Sequence, residues 1–224
     1  MLKHQTTFLI VGESGSGKTS LCNILSEEEG MKQLWSYTTR NPRYDGEPGH
    51  VFVPSMGIWQ ALHPAETVVG YTHFAGHDYW ATAKQVDESD LYVIDVDGVD
   101  FFKKNYAGHK NIKVVYIRSS VLERATRMLS RGDGLISTAR RLINDAIAFR
   151  RAAGMADKVI RNREFSEAFG DLWHYIWHID GEDTVIHVPY NQPCEKQGSY
   201  YCLNVCKGED DDGVIYCGRD ANDG

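Results

Sequence analysis

The sequence predicts an α/β fold in which a parallel β-sheet is flanked by helices. Strand-like and helix-like segments alternate from residue 7 to residue 178, which is the pattern of βα units around a parallel sheet. Two of the strand-like segments, 91–96 and 112–117, are mostly apolar on both faces, as a sheet covered on both sides requires. A glycine-rich segment at 12–19 joins the first predicted strand to the first predicted helix.

The elements follow one another in this order along the chain. Strands are predicted at 7–11, 32–36, 91–96, 112–117 and 158–160. Helices are predicted at 18–29, 98–106, 120–130, 138–153 and 164–178. Gly30 ends the first helix, and either Asn162 or Ser166 caps the last one.

Three segments depart from this alternation. Residues 37–83 are rich in Gly, Pro, Tyr and His and contain short β-like pieces, which predicts a β-rich subdomain inserted into the core. Residues 131–138 are polar and contain glycine between two helices, which suits a mobile lid. We therefore expect one domain over residues 1–180, with this insert and lid. An acidic, cysteine-containing tail over 181–224, with a strand near 184–189, is expected to follow it.

Composition and charge narrow the class of protein. The chain has 224 residues, of which 42% are hydrophobic, so it can bury a substantial core. Its formal net charge is −7 and it has no long basic run, which argues against a nucleic-acid polymer or an anionic membrane as partner. No apolar run approaches the roughly 20 residues of a membrane span, and no signal-peptide pattern opens the sequence. We expect a cytoplasmic protein, monomeric or homodimeric, that binds small molecules.

Residues 12–19 fit the phosphate-loop pattern G-x-x-x-x-G-K-[ST]. In such a loop the backbone N–H groups turn inward around phosphate oxygens, and the helix N-terminus adds positive potential. Lys18 is predicted to reach the β- and γ-phosphates of ATP, and the Thr19 hydroxyl to bind Mg²⁺. The predicted nucleotide-binding residues are Gly12, Ser14, Gly15, Ser16, Gly17, Lys18, Thr19 and Ser20. The alternative is a glycine-rich turn that binds nothing.

A second cluster of chemistry lies in residues 36–53. Arg40 and Arg43 are three residues apart, with Ser36 close by in sequence. Two guanidinium groups at this spacing can clamp a dianionic phosphate in a bidentate manner. The alternative is a solvated loop with scattered cations.

Together the two stretches resemble the guanylate kinase family, a branch of the P-loop nucleoside monophosphate kinases. The family's Ser-x-Thr-Thr-Arg-x-Pro-Arg segment is matched at 36–43, and its Gly-Glu-x-x-Gly segment leading into Phe-Val at 46–53. The later family motifs are matched at Gly76 and Tyr79, at 95–98, at 127–132, at Arg141-Leu142 with Arg140 as a competing match, and at 157–162.

The resemblance implies ATP-dependent, Mg²⁺-requiring phosphoryl transfer to a nucleoside monophosphate, with GMP or dGMP as the best single choice. It makes Lys18, Arg131 and Arg141 catalytic, with both arginines carried by the lid. It puts Thr19 and Asp95 on the metal, with Asp97 as the competing carboxylate. The acceptor-binding residues that it implies are Ser36, Arg40, Arg43, His50, Tyr79 and Asp97. Other interpretations stay open: Arg131 and Arg141 as surface arginines, Asp97 as a helix cap, and Tyr79 as a core aromatic.

Two positions depart from the family where it reads the base. The family's guanine-binding glutamate corresponds to Gly70, and its small hydroxyl residue corresponds to Ala81, while Glu66 and Asp78 are nearby carboxylates that could substitute. His50 stands where the family has a tyrosine. These departures keep open a P-loop kinase for another nucleotide or a phosphorylated sugar. A non-catalytic guanylate kinase-like binding module is the third interpretation.

The tail carries four of the five cysteines, at Cys194, Cys202, Cys206 and Cys217. Only Cys202 and Cys206 approach the close spacing of a metal-binding pair, so a Zn²⁺ site competes with a tail of free thiols.

Overall fold

The computed structural model describes residues 5–74 and 76–180. Within it the chain divides into two units, Met1–Ala168 and Phe169–Gly224. The strands are β1 (Thr6–Val11), β2 (Ser36–Thr38), β3 (His50–Phe52), β4 (Val68–Phe74), β5 (His77–Thr82), β6 (Leu91–Val93), β7 (Asn111–Arg118) and β8 (Lys158–Arg161). The helices are α1 (Lys18–Glu28), α2 (Met56–Leu62), α3 (Ala83–Asp87), α4 (Val96–Asn105), α5 (Val121–Ser130), α6 (Leu135–Ala148), α7 (Ala152–Met155) and α8 (Phe165–Asp180), with a 3₁₀ helix at Phe149–Arg151.

A four-stranded parallel sheet, in the order β6-β1-β7-β8, forms the centre of the first unit. Phe8, Leu9 and Ile10 in β1 are fully buried, so both faces of this strand are covered. A parallel sheet with both faces covered needs such an uninterrupted apolar run. The predicted α/β class is therefore confirmed.

A second, mixed sheet lies within the segment predicted as an insert, in the order β3-β2-β5-β4. β2 pairs parallel to β3 and antiparallel to β5, and β4 pairs antiparallel to β5. The rings of Tyr37, Trp59 and Trp80 pack together beside this sheet, and Trp80 is fully buried. This aromatic cluster gives the insert an apolar core of its own.

Several predicted boundaries were wrong. The strand expected at 32–36 is reduced to one bridge between Gln33 and Leu91, because the chain then leaves the parallel sheet to form β2. The strand expected at 91–96 ends at Val93 and α4 begins at Val96, since Asp95 is the N-cap of that helix. The helix expected at 138–153 begins already at Leu135 and is broken by the 3₁₀ helix, so half of the predicted lid is helical.

The described part of the second unit ends with α8. Within it the Trp173 and Trp177 rings stack at 5.5 Å. The strand predicted near 184–189 and the four tail cysteines lie outside the described residues. No helix in the described part of the chain is long and apolar enough to cross a membrane.

Candidate functional site

The glycine-rich loop between β1 and α1 is a tight backbone turn. Gly15 and Gly17 adopt left-handed φ values of 76° and 95°, which side-chain-bearing residues rarely adopt. A Cβ atom at Gly17 would overlap the Asn162 Nδ2 atom, and one at Gly12 would overlap the Ile117 carbonyl oxygen. The glycines are therefore needed for the loop to close as it does.

Gly17→Ala is expected to destabilise the protein by about 1–3 kcal/mol, because it combines a strained φ with a clash at Asn162. Gly154→Ala is the matched control, since that helical glycine has open space around its Cβ position. Chemical denaturation of both variants measures the difference. Equal stabilities of the two variants would contradict the strain argument.

Lys18 lies at the start of α1 and folds back over the loop. Its ammonium donates hydrogen bonds to the carbonyl oxygens of Gly12 at 2.5 Å and Glu13 at 3.0 Å. Burial lowers the pKa of Lys18 to about 8, although the Asp145 and Glu13 carboxylates oppose the shift. The loop thus holds one desolvated ammonium close to its backbone.

Three side chains contact the backbone of the loop, namely those of Asn162, Arg127 and Ser119. Asn162 donates from Nδ2 to the Ser16 carbonyl oxygen at 2.8 Å. Arg127 donates from Nη2 to the Asn162 carbonyl oxygen at 3.0 Å, and from Nη1 to the Ser119 hydroxyl at 3.0 Å. These contacts were not predicted from the sequence, where Asn162 was expected as a possible helix cap and Arg127 only as part of a motif.

A cleft of about 390 Å³ opens beside the loop. It is lined by Ser14, Gly15, Gly17, Lys18, Thr19, Ser20, Arg43, Arg127, Arg131 and Arg141. The structure therefore brings the predicted phosphate loop, both arginines predicted for the lid and one arginine of the predicted insert together at this cleft. Arg141, and not Arg140, is the α6 arginine of this cleft.

Asp133 contacts both Arg131 and Arg141. Arg131 donates from Nη2 to Asp133 Oδ2 at 2.6 Å, and Arg141 Nη1 lies 3.5 Å from the same oxygen. The Arg131 guanidinium, helped by Arg141 and Arg43, lowers the pKa of Asp133. An ionised carboxylate thus accompanies this group of arginines.

Several acceptor-site candidates share one face of the mixed sheet. Ser36 pairs with His50, and Thr38 on the same face of β2 pairs with Tyr79. The Ser36 hydroxyl and His50 Nδ1 are 3.0 Å apart, and the His50 and Tyr79 rings are 5.5 Å apart. Burial, reinforced by Arg40, lowers the pKa of His50. The structure thus brings Ser36, His50 and Tyr79 together.

Glu47 orients the predicted arginine clamp. Arg40 forms a bidentate pair with the Glu47 carboxylate, at 2.8 and 3.1 Å. The hydrogen bond from Arg40 lowers the pKa of Glu47 to about 2. The backbone N–H of Arg43 donates to Glu47 at 2.7 Å, and the Arg43 side chain reaches the cleft. Glu47 was missed as a functional candidate, although it stood in a quoted motif.

The two carboxylates after β6 differ in their surroundings. Asp95 is half-buried, and its Oδ1 accepts from the Gly98 N–H at 2.6 Å and from the Thr72 hydroxyl at 2.9 Å. Burial raises the pKa of Asp95, and both hydrogen bonds oppose the shift. Asp97 is exposed and pairs with Arg151 at 2.5 Å. The helix cap is therefore Asp95, not Asp97.

The donors available for a metal are oxygen atoms. Mg²⁺ typically takes one or two protein oxygens and completes its shell with water and substrate phosphates, so the Thr19 hydroxyl and the Asp95 carboxylate fit it chemically. Among the described residues, no group of three or more His, Cys, Asp or Glu could hold a metal ion. Zinc has no support here, and Cys194, Cys202, Cys206 and Cys217 lie outside the described residues.

The positions expected to read the base are paired with each other. Gly70 in β4 pairs with Ala81 in β5. A Cβ atom on Gly70 would lie only 2.7 Å from the hydroxyl of the buried Tyr92, which occupies the space that a side chain at position 70 would enter. Asp78 accepts hydrogen bonds from Tyr71 and His73 and alternates with Tyr79 along β5, so it faces away from this site.

Comparison with known proteins decides the family. A family model described as guanylate kinase matches residues 4–179. The chain belongs to the guanylate kinase family.

Individual guanylate kinases agree with this assignment. The chain is 28% identical over 173 residues to the guanylate kinase of Dechloromonas aromatica (strain RCB), which covers 74% of this chain and 85% of that protein. It is 23% identical over 175 residues to the guanylate kinase of Hydrogenovibrio crunogenus (strain DSM 25203 / XCL-2), which covers 74% and 83%. The crystal structure of guanylate kinase from Anaplasma phagocytophilum has the same fold, with a TM-score of 0.55, 18% identity, and coverage of 82% and 91%.

Proposed function

We propose that this protein is a guanylate kinase, which transfers the γ-phosphoryl group of ATP to GMP or dGMP and forms GDP or dGDP. The observation that carries the proposal is the cleft in which the phosphate loop and Lys18 meet four arginines, in a chain that belongs to the guanylate kinase family. A cytoplasmic location and a monomeric or homodimeric state are parts of the same proposal.

The donor nucleotide is assigned to the phosphate loop. Its backbone N–H groups and the Lys18 ammonium bind the β- and γ-phosphates, where an array of donors is most effective against concentrated negative charge. Thr19 and Asp95 would hold Mg²⁺, which would neutralise negative charge on the phosphates of the donor nucleotide.

The acceptor phosphate is assigned to the face of the mixed sheet. Arg40, fixed by Glu47, and Arg43, at the cleft, bind its anionic oxygens. Ser36, His50 and Tyr79 add hydrogen-bonding groups on the same side. This arrangement aligns the acceptor oxygen with the γ-phosphorus. Asp97 has the least support as a binding residue, because it is exposed and paired with Arg151.

Catalysis then depends on the alignment of the two substrates and on positive charge at the transferring phosphoryl group, and it requires no strong base. The acceptor phosphate is already an anionic nucleophile, so no proton must be removed from it before attack. Arg131 and Arg141 neutralise charge that develops on the transferring group, and the fixed loop presents the γ-phosphate in line.

The test is ADP release by the full-length protein with ATP and Mg²⁺, measured against a panel of acceptors. Turnover with GMP or dGMP supports the proposal. Turnover only with another phosphorylated acceptor would instead indicate a P-loop kinase of different specificity. That alternative is motivated by Gly70 and Ala81, which stand at the positions where the family reads guanine. Absence of both turnover and ATP binding would indicate a non-catalytic module.

We expect weaker discrimination between GMP and IMP than a base-reading carboxylate would give. Without a side chain at position 70, the guanine N–H donors lose that partner, and one such hydrogen bond is worth about 1–3 kcal/mol. The kcat/KM values for IMP and GMP are therefore expected to differ by about tenfold or less. A preference for GMP greater than about 100-fold would show that another residue reads the guanine edge.

A further inference from the structure

We propose that Arg124 and Asp145 are positioning residues for phosphoryl transfer, which fix the phosphate loop to the helix that carries Arg141. This inference rests on the proposed function. Neither residue lines the cleft described above, and neither belongs to one of the family motifs matched in the sequence.

The pair is a largely buried ion pair between neighbouring helices. Arg124 in α5 donates from Nη2 to Asp145 Oδ2 in α6 at 2.6 Å, and the two side chains are only 4% and 13% exposed. Arg124 Nη1 also lies 3.8 Å from the Glu13 carboxylate, which accepts from the Tyr116 hydroxyl at 2.7 Å. Replacing a buried ion pair by apolar residues of similar size often leaves the stability of a protein unchanged or raises it. Stability alone therefore does not account for this ion pair.

Both ends of the pair hold the backbone of the phosphate loop at Ser14. Arg124 donates from Nε to the Ser14 carbonyl oxygen at 2.9 Å. Asp145 accepts from the Ser14 backbone N–H at 2.9 Å, and its other oxygen lies 3.5 Å from the Ser14 hydroxyl. Donor and acceptor of the same loop residue are thus tied to two different helices.

Asp145 lies one helical turn after Arg141 in α6. Arg141 reaches the cleft, so its position depends on how α6 sits against the loop. A shift of α6 would break the Asp145 contacts to Arg124 and Ser14 at once. The network therefore joins the phosphate loop, which binds the donor phosphates, and Arg141, which stabilises the transferring phosphoryl group, into one rigid unit.

The predicted signature is a loss of kcat without a matching loss of substrate binding. A misplacement of about 1 Å in a catalytic site can cost about 100-fold in rate. Asp145→Ala is expected to lower kcat about 100-fold while the KM for GMP changes by less than about threefold. Asp145→Asn retains an acceptor for the Ser14 N–H, so it is expected to recover at least about tenfold of this loss.

The experiment combines steady-state kinetics, melting temperature and hydrogen–deuterium exchange of the Ser14 amide in the full-length protein. The double variant Arg124→Met/Asp145→Leu removes the whole ion pair and serves if Asp145→Ala does not fold. The control is Lys32→Ala/Glu88→Ala, which removes an exposed ion pair remote from the cleft. In the folded variants, kcat is expected to fall, and the exchange of the Ser14 amide is expected to accelerate about tenfold or more. The control is expected to show neither change.

A folded variant without the pair whose kcat stays within about twofold of the parent would overturn the inference. If the parent itself shows no turnover with GMP, the proposed function fails, and the exchange measurement then decides the inference independently. Unchanged Ser14 exchange after removal of the pair would overturn it in that case as well.

Discussion

Lys18→Ala is expected to lower kcat/KM by at least about 10³-fold and to leave the protein folded. The ammonium lines the cleft and is held against the loop backbone by the Gly12 and Glu13 carbonyl oxygens. Removal of a single preorganised donor to a developing anion costs about 10²–10³ in rate, and a full charge at the β- and γ-phosphates adds to that. Steady-state kinetics with ATP and GMP measures the loss.

The fold is expected to survive because the native site disfavours the charged lysine. Its pKa falls from 10.5 to about 8, mainly through burial. A lysine whose folded pKa is lowered binds its proton less tightly in the native state, so at pH 7 it opposes folding, and stability rises only as pH passes 8 towards 10.5. Replacement by Ala removes this cost and offsets the loss of two hydrogen bonds.

The matched control for Lys18→Ala is Lys32→Ala, at a lysine exposed by 60% in a surface ion pair. It is expected to leave kcat/KM unchanged. Circular dichroism and the melting temperature separate a catalytic effect from unfolding. If Lys18→Ala retained a tenth or more of the parental kcat/KM, the Lys18 ammonium would not have the role proposed for it, and unchanged activity would remove the loop from the mechanism.

The phosphate loop was predictable because the residues that define it are consecutive in the sequence. Eight consecutive residues, with a strand before them and a helix after them, contain the whole pattern. The ties that hold the loop in place were not predictable in the same way. Asn162 reaches Ser16 across 146 residues of sequence, and Arg124 reaches Ser14 across 110. No pattern within one segment could reveal those contacts.

The errors in the predicted secondary structure have more than one origin. Residues 32–36 carry strand propensity, but only Gln33 bridges to Leu91 of the parallel sheet, and from Ser36 onward the chain pairs with β3 and β5, which come later in the sequence. α2 was missed because its short apolar stretch lies in a segment whose glycines and prolines suggested only β-structure. The helix after the predicted lid was predicted to begin at residue 138 because Leu135 and Ile136 read as loop residues, whereas they open α6. Tertiary contacts outweighed local preference in the first case, whereas in the other two the local helix signals were misread.

The acceptor site could be predicted only in part from the local sequence. Strand alternation alone would have put Ser36 and Thr38 on one face of β2, but the register that adds His50 and Tyr79 required the sheet. The resemblance to a known family supplied those residues before the register was available. It did not supply Tyr92, whose hydroxyl occupies the space beside Gly70.

Arg141→Met is expected to lower kcat by about 10³-fold, with a smaller effect on the KM for either nucleotide. An arginine that contacts the transferring phosphoryl group stabilises mainly the transition state, and such arginines are worth about 10³–10⁵ in rate. Arg141 lines the cleft and lies 3.5 Å from Asp133, which Arg131 also contacts. Because Asp133 neutralises part of this charge in the free protein, the arginines reach full effect when phosphate takes over that contact.

The adjacent Arg140 provides the control, because it has the same side chain on the same helix and does not line the described cleft. Arg140→Met is expected to keep kcat within about twofold of the parent. Arg131→Met should resemble Arg141→Met, because both guanidinium groups contact Asp133 Oδ2. Stopped-flow measurement of a single turnover separates the chemical step from product release. Equal losses in the Arg140 and Arg141 variants would mean that the α6 arginines act through net charge and not through contact with the transferring group.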